Sequence, residues 1–196
     1  MNLEKFTERS RGFLQAAQTI ATRENHQRLA PEHLLKALMD DDQGLASNLI
    51  SRAGGAPTRV TEALALTMAK LPKVTGDAQP FMDPALSRVL DEAEKVAKKA
   101  GDSFVPVERI LMAMALVTSK AKEALEAGAV TAQKLNTAIN EIRKGRTADS
   151  ASAEDRYEAL RKYAADLTER ARQGKIDPII GRDDEIRRTI QVLQRR

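Results

Sequence analysis

Residues 31–38 of this chain read PEHLLKAL, and residues 107–114, 76 positions later, read VERILMAM. Both stretches place apolar side chains three and four residues apart, which is the spacing of one face of an α-helix. The same offset relates further identical residues along the chain. The pairs are Leu14 and Leu90, Ala17 and Ala93, Ala21 and Ala97, Glu32 and Glu108, Leu35 and Leu111, Ala37 and Ala113, and Leu49 and Leu125. Because these identities fall at predicted helix starts and core positions, the sequence predicts an internal duplication.

Each repeat is predicted to contain four helices, because its apolar residues recur at helical spacing between turn-forming residues. In the first repeat the helices are expected at about residues 3–24, from Pro31, at about residues 45–53, and between Thr58 and Pro72. In the second they are expected after the cap Asp83, from Pro106, at about residues 119–127, and after the cap Thr131. Two repeats are too few for an open solenoid. The sequence therefore predicts one all-α domain over residues 1–143, a pseudo-twofold pair of four-helix repeats at 1–75 and 80–143.

The composition narrows the classes of protein to which the chain could belong. It has no Cys, so disulfide scaffolds and thiolate sites are excluded. The first residues, MNLEKFTERS, have no apolar core of a secretory signal, and no apolar stretch approaches the ~20 residues that span a bilayer. Residues 1–142 carry equal numbers of basic and acidic side chains, so the net charge of +4 arises after them. We expect a cytoplasmic protein with neither a nucleic-acid nor a membrane partner.

The sequence character changes after Arg143. Residues 144–155, KGRTADSASAED, are small and polar without apolar spacing, which predicts a flexible linker. Residues 156–196 are then expected to begin a second domain, with helices at about residues 153–173 and from about residue 183 to the end.

A search for chemistry-bearing motifs predicts no catalytic residue and no metal site. The phosphate-binding pattern GxxxxGK[ST] is absent from the sequence. His26 and His33 lie seven residues apart with no thiol to assist them, and they are expected to be ordinary polar surface. The methionine-rich residues 112–115 are expected to pack in the core. Three further apolar residues are candidates for exposed contact or for sealing the seam between repeats: Phe81, Met82 and Phe104.

Residues 163–196, YAADLTERARQGKIDPIIGRDDEIRRTIQVLQRR, resemble a known family. They are similar to the opening segment of the first ATPase module of the Clp/heat-shock-100 AAA+ unfoldases, in which a D-P-[VI]-I-G-R motif precedes the first core helix. The sequences DLTERA and RRTIQ within this segment resemble the ClpB-type disaggregases most. The duplicated four-helix unit is similar to the Clp N-terminal repeat domain. The resemblance thus implies that residues 156–196 begin a truncated α/β AAA+ module.

The resemblance also implies a function for a longer protein. Its N-terminal domain would bind unfolded or aggregated protein clients, and its ATPase ring, a hexamer, would thread them through a central pore in cooperation with a DnaK-type chaperone system. ATP and Mg would be the cofactors of that protein, with Ile179, Ile180 and Gly181 at the adenine pocket. The phosphate-binding loop is expected only after Arg196, so the present chain is expected to have no cofactor and no enzymatic activity. It is also expected to be a monomer, because it would lack most of the AAA+ ring interface. An alternative is an adaptor-docking module of a protease-linked Clp unfoldase.

Client contact is implied at two sets of residues. The polar set is Thr7, Asp102 and Glu108; the apolar set, a groove along the fifth helix, is Val89, Leu90, Val96 and Phe104. Each polar residue also has a structural alternative. Thr7 fits a helix cap, Asp102 a turn residue, and Glu108 a first-turn acid favoured by the helix dipole.

Overall fold

The computed structural model describes residues 3–42, 44–74, 79–154, 174 and 181–194. The chain divides into two compact units, Met1–Asp155 and Arg156–Arg196, which are considered separately below.

The first repeat consists of a short 3-10 helix followed by four α-helices. The 3-10 helix spans Leu3–Lys5, and the α-helices are α1 (Glu8–Arg23), α2 (Pro31–Met39), α3 (Leu45–Arg52) and α4 (Pro57–Met68). The continuous helix expected at residues 3–24 is therefore interrupted. Thr7 caps α1 by accepting a hydrogen bond from the Ser10 N–H, while Phe6 leaves the helical conformation to form a β-bridge with Val105.

The second repeat follows the same order. Its helices are α5 (Pro84–Lys99), α6 (Val107–Leu116), α7 (Lys120–Ala127) and α8 (Ala132–Arg143). The predicted caps are confirmed, since Asp83 accepts a hydrogen bond from the Ala85 N–H and Thr131 accepts one from the Lys134 N–H. The all-α architecture predicted from the sequence is confirmed.

The repeats correspond residue by residue, with one correction to the offset. The starts of α1 and α2 differ from those of α5 and α6 by 76 residues, but α3 and α4 differ from α7 and α8 by 75. Leu125 therefore corresponds to Ile50, and the pairing of Leu49 with Leu125 was wrong. Within the described residues, the buried positions of α3 and α7 agree with the offset of 75.

Both repeats contribute to a single hydrophobic core. Helix α4 packs against α7 and α3 packs against α8, so that each repeat buries apolar surface of the other. The predicted core position of residues 112–115 is confirmed for Ala113, Met114 and Ala115, while Met112 is partly buried against the core. The largest fully buried side chains are Phe6, Leu34, Leu35, Leu38, Leu49, Ile50, Leu64, Leu86, Leu90, Ile110, Leu111 and Met114.

Two short extended seams join the repeats. At the first seam Phe6 forms a parallel bridge with Val105. At the second, β1 (Arg28–Leu29) pairs in parallel with β2 (Phe81–Met82). An offset of 76 converts Phe6 to Met82 and Leu29 to Val105, so the two seams are pseudo-twofold equivalents.

Residues 144–154 differ from the expected flexible linker, because most of them pack against the rest of the first unit. Residues 146–154, called the strap from here on, lie beside the first seam. Ala148 accepts hydrogen bonds from the Ser103 and Phe104 N–H groups, and Ala151 accepts one from the Glu8 N–H. Ala148 and Glu154 are buried. The boundary predicted at residue 143 is therefore too early for this unit.

The second unit is described mainly by one helix. Helix α9 spans Asp183–Leu193 and has three acidic residues in its first turn, where the helix dipole favours negative charge. This agrees with the predicted final helix. Except for Ala153 and Glu154, the helix expected at residues 153–173 lies outside the described residues. In the described part of the chain, no helix is long and apolar enough to cross a membrane.

Candidate functional site

The three polar residues implied by the resemblance lie in one buried network beside the first seam. Thr7 precedes α1, Asp102 lies in the loop between α5 and α6, and Glu108 is the second residue of α6. None of the three is more than 9% exposed. Each hydrogen-bonds another part of the same chain, and the network includes the strap.

Thr7 and Glu154 form the first half of the network. The Thr7 hydroxyl accepts from the Ser10 N–H and donates to Glu154 Oε2. The other carboxylate oxygen of Glu154 accepts from the Val107 N–H at 2.6 Å. Val107 is the first residue of α6, whose N–H has no partner inside the helix. Glu154 therefore caps α6 from a position 47 residues later in the chain.

Asp102 is the centre of the second half. Its Oδ2 accepts from Arg109 Nε at 2.9 Å, and its Oδ1 accepts from Arg143 Nη1 and from the Ala148 N–H, the latter at 2.8 Å. Arg143 also donates through Nε to Glu108 Oε1 at 2.8 Å. Two arginines and two acids are thus paired in a buried site, where an unpaired charge would cost several kcal/mol.

Burial and charge shift the pKa values of this network in identifiable directions. Burial alone would lower the pKa of Arg143, but the adjacent Glu108 and Asp102 raise it overall, so the guanidinium stays charged. Burial, followed by the Glu108 carboxylate, raises the pKa of Glu154 to about 7. The hydrogen bonds from Thr7 and Val107 oppose that rise.

The first repeat contains a neutral equivalent of this ionic network. With the offset of 76, Asp102 corresponds to His26 and Arg109 to His33. The two histidines are buried, with His26 Nδ1 lying 2.8 Å from His33 Nε2. Arg143 corresponds, with the offset of 75, to the buried Met68. A polar pair seven residues apart therefore occurs in both repeats, but only the second repeat makes it ionic.

The expectation that His26 and His33 lie on the polar surface was wrong. The Ala30 N–H donates to His33 Nδ1 at 3.0 Å, so the proton of the neutral His33 ring is on Nε2. His33 Nε2 therefore donates to His26 Nδ1, and both nitrogens of His33 have a partner. A polar group is buried at little cost when its hydrogen bonds are made. Desolvation lowers the pKa of both rings, that of His33 to about 4.

The apolar residues expected in a groove along α5 divide into two groups. Val89 and Leu90 are wholly buried in the core, so they present no groove surface in this structure. Val96 and Phe104 are half-buried. Exposed apolar surface is found instead at β2, where Phe81 is 50% exposed and Met82 is 39% exposed. Arg28 lies over the Phe81 ring, 5.3 Å from its centroid.

Glu154 and Arg143 were not singled out by the sequence. A signal for Arg143 was present, because it occupies a repeat position that is apolar in the first repeat. Glu154 gave no signal, since its partners are a distant hydroxyl and a distant backbone N–H.

The predicted nucleotide residues are only partly described. Ile179 and Ile180 lie outside the described residues, while Gly181 has a φ of +76°. Among the described residues, no group of three or more His, Cys, Asp or Glu side chains could hold a metal ion.

Comparisons with known proteins identify the relatives of this chain. The family model described as the Clp repeat (R) N-terminal domain matches residues 5–128. The chaperone protein ClpB of Rhodopseudomonas palustris is 58% identical to the chain, and the alignment covers 100% of this chain and 23% of that protein. The chain thus spans about a quarter of the length of this relative.

Two solved structures show the same fold. The Hsp104 N-terminal domain from Candida albicans has a TM-score of 0.67 and 21% identity, covering 76% of this chain and 99% of that one. A ClpV N-domain in complex with a VipB peptide has a TM-score of 0.59 and 19% identity, covering 74% of this chain and 91% of that one. The chain belongs to the Clp repeat N-terminal domain family and resembles the ClpB chaperones over its whole length.

Proposed function

We propose that residues 1–155 bind unfolded or aggregated polypeptides as the N-terminal domain of an ATP-dependent disaggregase. The observation that supports this most is the exposed apolar pair of β2, Phe81 and Met82, on a domain similar in sequence to ClpB chaperones. Exposed apolar side chains gain free energy when the apolar segments of an unfolded chain cover them.

The size of this surface predicts weak binding. Half of Phe81 and two fifths of Met82 amount to roughly 170 Å² of surface. At about 25 cal/mol per Å², complete burial would contribute about 4 kcal/mol before the entropy of association is subtracted. Such a surface gives at best millimolar affinity for a single apolar segment, so a client would exchange rapidly. Rapid exchange suits a domain that passes its client onward.

The remaining parts of the proposal concern the longer protein. Residues 156–196 would begin its first AAA+ module, with Ile179, Ile180 and Gly181 at the adenine pocket. ATP and Mg would be bound by the complete module, and a hexameric ring with a DnaK-type partner system would complete the cytoplasmic machine. These assignments rest on the resemblance of residues 163–196 and on the likeness to ClpB.

The test of client binding uses fluorescence anisotropy with a labelled, permanently unfolded protein. The variant replaces Phe81 and Met82 with serine, and the control replaces Leu66, a residue of α4 that is 67% exposed, with serine. We expect the double variant to bind at least fivefold more weakly and the control to bind like the parent. Equal affinity of all three proteins would contradict the proposed surface.

Adaptor docking is the second candidate function. The observation that favours it is the solved complex of a ClpV N-domain with a VipB peptide, because that N-domain has the same fold as this chain. An adaptor would bind with a defined stoichiometry and would not be displaced by unrelated unfolded proteins. Displacement of one unfolded client by another, measured by anisotropy, would favour client capture instead.

A further inference from the structure

Besides accepting from the Ser103 and Phe104 N–H groups, the strap makes three further hydrogen bonds that involve backbone amides. The Glu8 N–H donates to Ala151 O at 2.8 Å, and the Val107 N–H donates to Glu154 Oε1 at 2.6 Å. The strap's own Ala148 N–H donates to Asp102 Oδ1 at 2.8 Å. Glu8 and Val107 are the first residues of α1 and α6, whose N–H groups have no partner within their helices.

The second seam shows why a single strap is sufficient. The residues equivalent to Glu8 and Val107 are Pro84 and Pro31, the first residues of α5 and α2. Proline has no N–H, so these two helices begin without the donors that the strap satisfies at the first seam. The sequence thus removes the need for a partner at one seam and supplies the strap at the other.

The polar residues beside the strap have little capacity left for an external ligand. The Thr7 hydroxyl has a single proton, and both of its acceptors, Glu154 Oε2 and Ser10 Oγ, lie within the chain. Asp102 accepts three hydrogen bonds within the chain. Glu108 accepts from Arg143, the residue that also holds Asp102. A client could reach these groups only if the strap moved.

We propose that Thr7 and Asp102 are positioning residues that bind the chain's own strap, through its residues Glu154 and Ala148, and fix its course over the domain. Glu108 supports them by orienting Arg143 toward Asp102. The role assigned to them by resemblance, direct contact with a client, then falls to other residues. That last step rests on the proposed client binding, whereas the docking of the strap does not.

Amide hydrogen exchange followed by NMR on the full chain tests the strap directly. Thr7→Val and Glu154→Ala each remove one side of the same contact, and Thr7→Ser restores the hydroxyl. Thr131→Val is the matched control, because Thr131 caps α8 in the same way but lies away from the strap. Exchange at Ala148, protected by Asp102, reports whether the strap stays docked.

We expect exchange at Ala148 to accelerate at least tenfold in Thr7→Val and in Glu154→Ala, and no further in the double variant. Thr7→Ser and Thr131→Val should keep the rate of the parent. Because the chain has no Cys, a spin-label pair at Lys99→Cys and Asp149→Cys gives a second measurement, a distance distribution that broadens when the strap is released. Unchanged exchange and an unchanged distribution in both variants would overturn the proposal.

Client affinity separates a positioning role from direct contact. Residues that act through the strap must change client affinity equally, so Thr7→Val and Glu154→Ala should agree within twofold. A loss of affinity confined to Thr7→Val would show direct contact and would also overturn the proposal. If the parent bound no client at all, the proposed function would fail, while the exchange measurement would still decide the role of the strap.

Discussion

Replacing His33 with glutamine is expected to remove a specific part of the acid sensitivity of this domain. Because the Ala30 N–H donates to His33 Nδ1, a proton added at that nitrogen would break the hydrogen bond. Glutamine at the third position of a helix still offers an acceptor to the preceding backbone N–H, but it does not titrate. The substitution therefore keeps the hydrogen bond of Ala30 while removing the ionisable ring.

The magnitude follows from the pKa of the buried ring. Burial, followed by the neighbouring His26, lowers the pKa of His33 from 6.5 to about 4. As the pH falls, the unfolded chain therefore takes up the proton first. The contribution of the neutral His33 ring to the free energy of unfolding is intact above pH 6.5 and is lost as the pH falls toward 4. At about 1.36 kcal/mol per pKa unit, the loss is about 2 kcal/mol at pH 5 and about 3 kcal/mol below pH 4.

Glu154 acts in the opposite direction over part of this range. Its pKa is raised to about 7, so its contribution is present below pH 4.5 and is lost as the pH rises through about 7. The parent and His33→Gln share this contribution, and it cancels when their free energies of unfolding are subtracted at each pH.

The assay is urea unfolding of both proteins at pH 7.5, 6.5, 5.5 and 5.0. Relative to its value at pH 7.5, the parent should lose about 2 kcal/mol more than His33→Gln by pH 5. His26→Gln, which leaves His33 titrating and keeps an acceptor for it, should retain most of that loss. Parallel curves for the parent and His33→Gln would refute the role given to the buried ring.

Four other substitutions test the packing of the repeats, each by the midpoint of urea unfolding. Ala129 and Gly54 follow corresponding helices with φ values of +60° and +72°. Ala129→Gly should therefore stabilise the domain by about 1 kcal/mol, and Gly54→Ala should destabilise it by a similar amount. If both substitutions changed the free energy of unfolding in the same direction, this reasoning would be contradicted. In Gly128→Ala, the new Cβ would clash with Val60 Cγ2 across the two repeats, and we expect a loss of at least about 2 kcal/mol. A neutral effect would show that the repeats are packed less closely. Arg143→Met leaves two buried carboxylates without their shared partner, which should cost about 3–5 kcal/mol at pH 7.5; a gain in stability would mean that the ion network is dispensable.

The helices were predictable because their determinants are local. Asp83 and Thr131 are caps whose side chains bond backbone groups two and three residues away, and Pro84 opens its helix through its own fixed φ. The break before α1 was not predictable, because the apolar spacing continues through Phe6. It is the pairing of Phe6 with Val105, 99 residues away in sequence, that ends the helical conformation there.

The predictions for the strap and for the two buried histidines were wrong for a different reason. Residues 144–155 have the composition of a linker, but the docking of the strap depends on backbone hydrogen bonds and on one carboxylate that bonds distant donors. His26 and His33 are polar by type, and only their mutual hydrogen bond makes burial inexpensive. Composition records only which residue types are present. The docking of the strap and the burial of the histidines depend instead on partners that the fold brings together.

The three polar residues were grouped by the resemblance alone, and their chemistry was not predictable. Thr7, Asp102 and Glu108 do lie close together at the first seam, although they are far apart in the chain. Their burial and their bonds to Glu154 and Arg143 could not be read from the sequence, because no local pattern joins these residues.

Client binding by the exposed residues is tested most directly by NMR titration of the isotope-labelled chain with an unfolded protein. We predict that the amide signals of Phe81 and Met82 shift progressively with fast exchange, while those of Val107 and Ala148, which report the docked strap, stay in place. Shifts at Thr7, Asp102 and Ala148 without any at Phe81 and Met82 would contradict both the binding surface and the role of the strap.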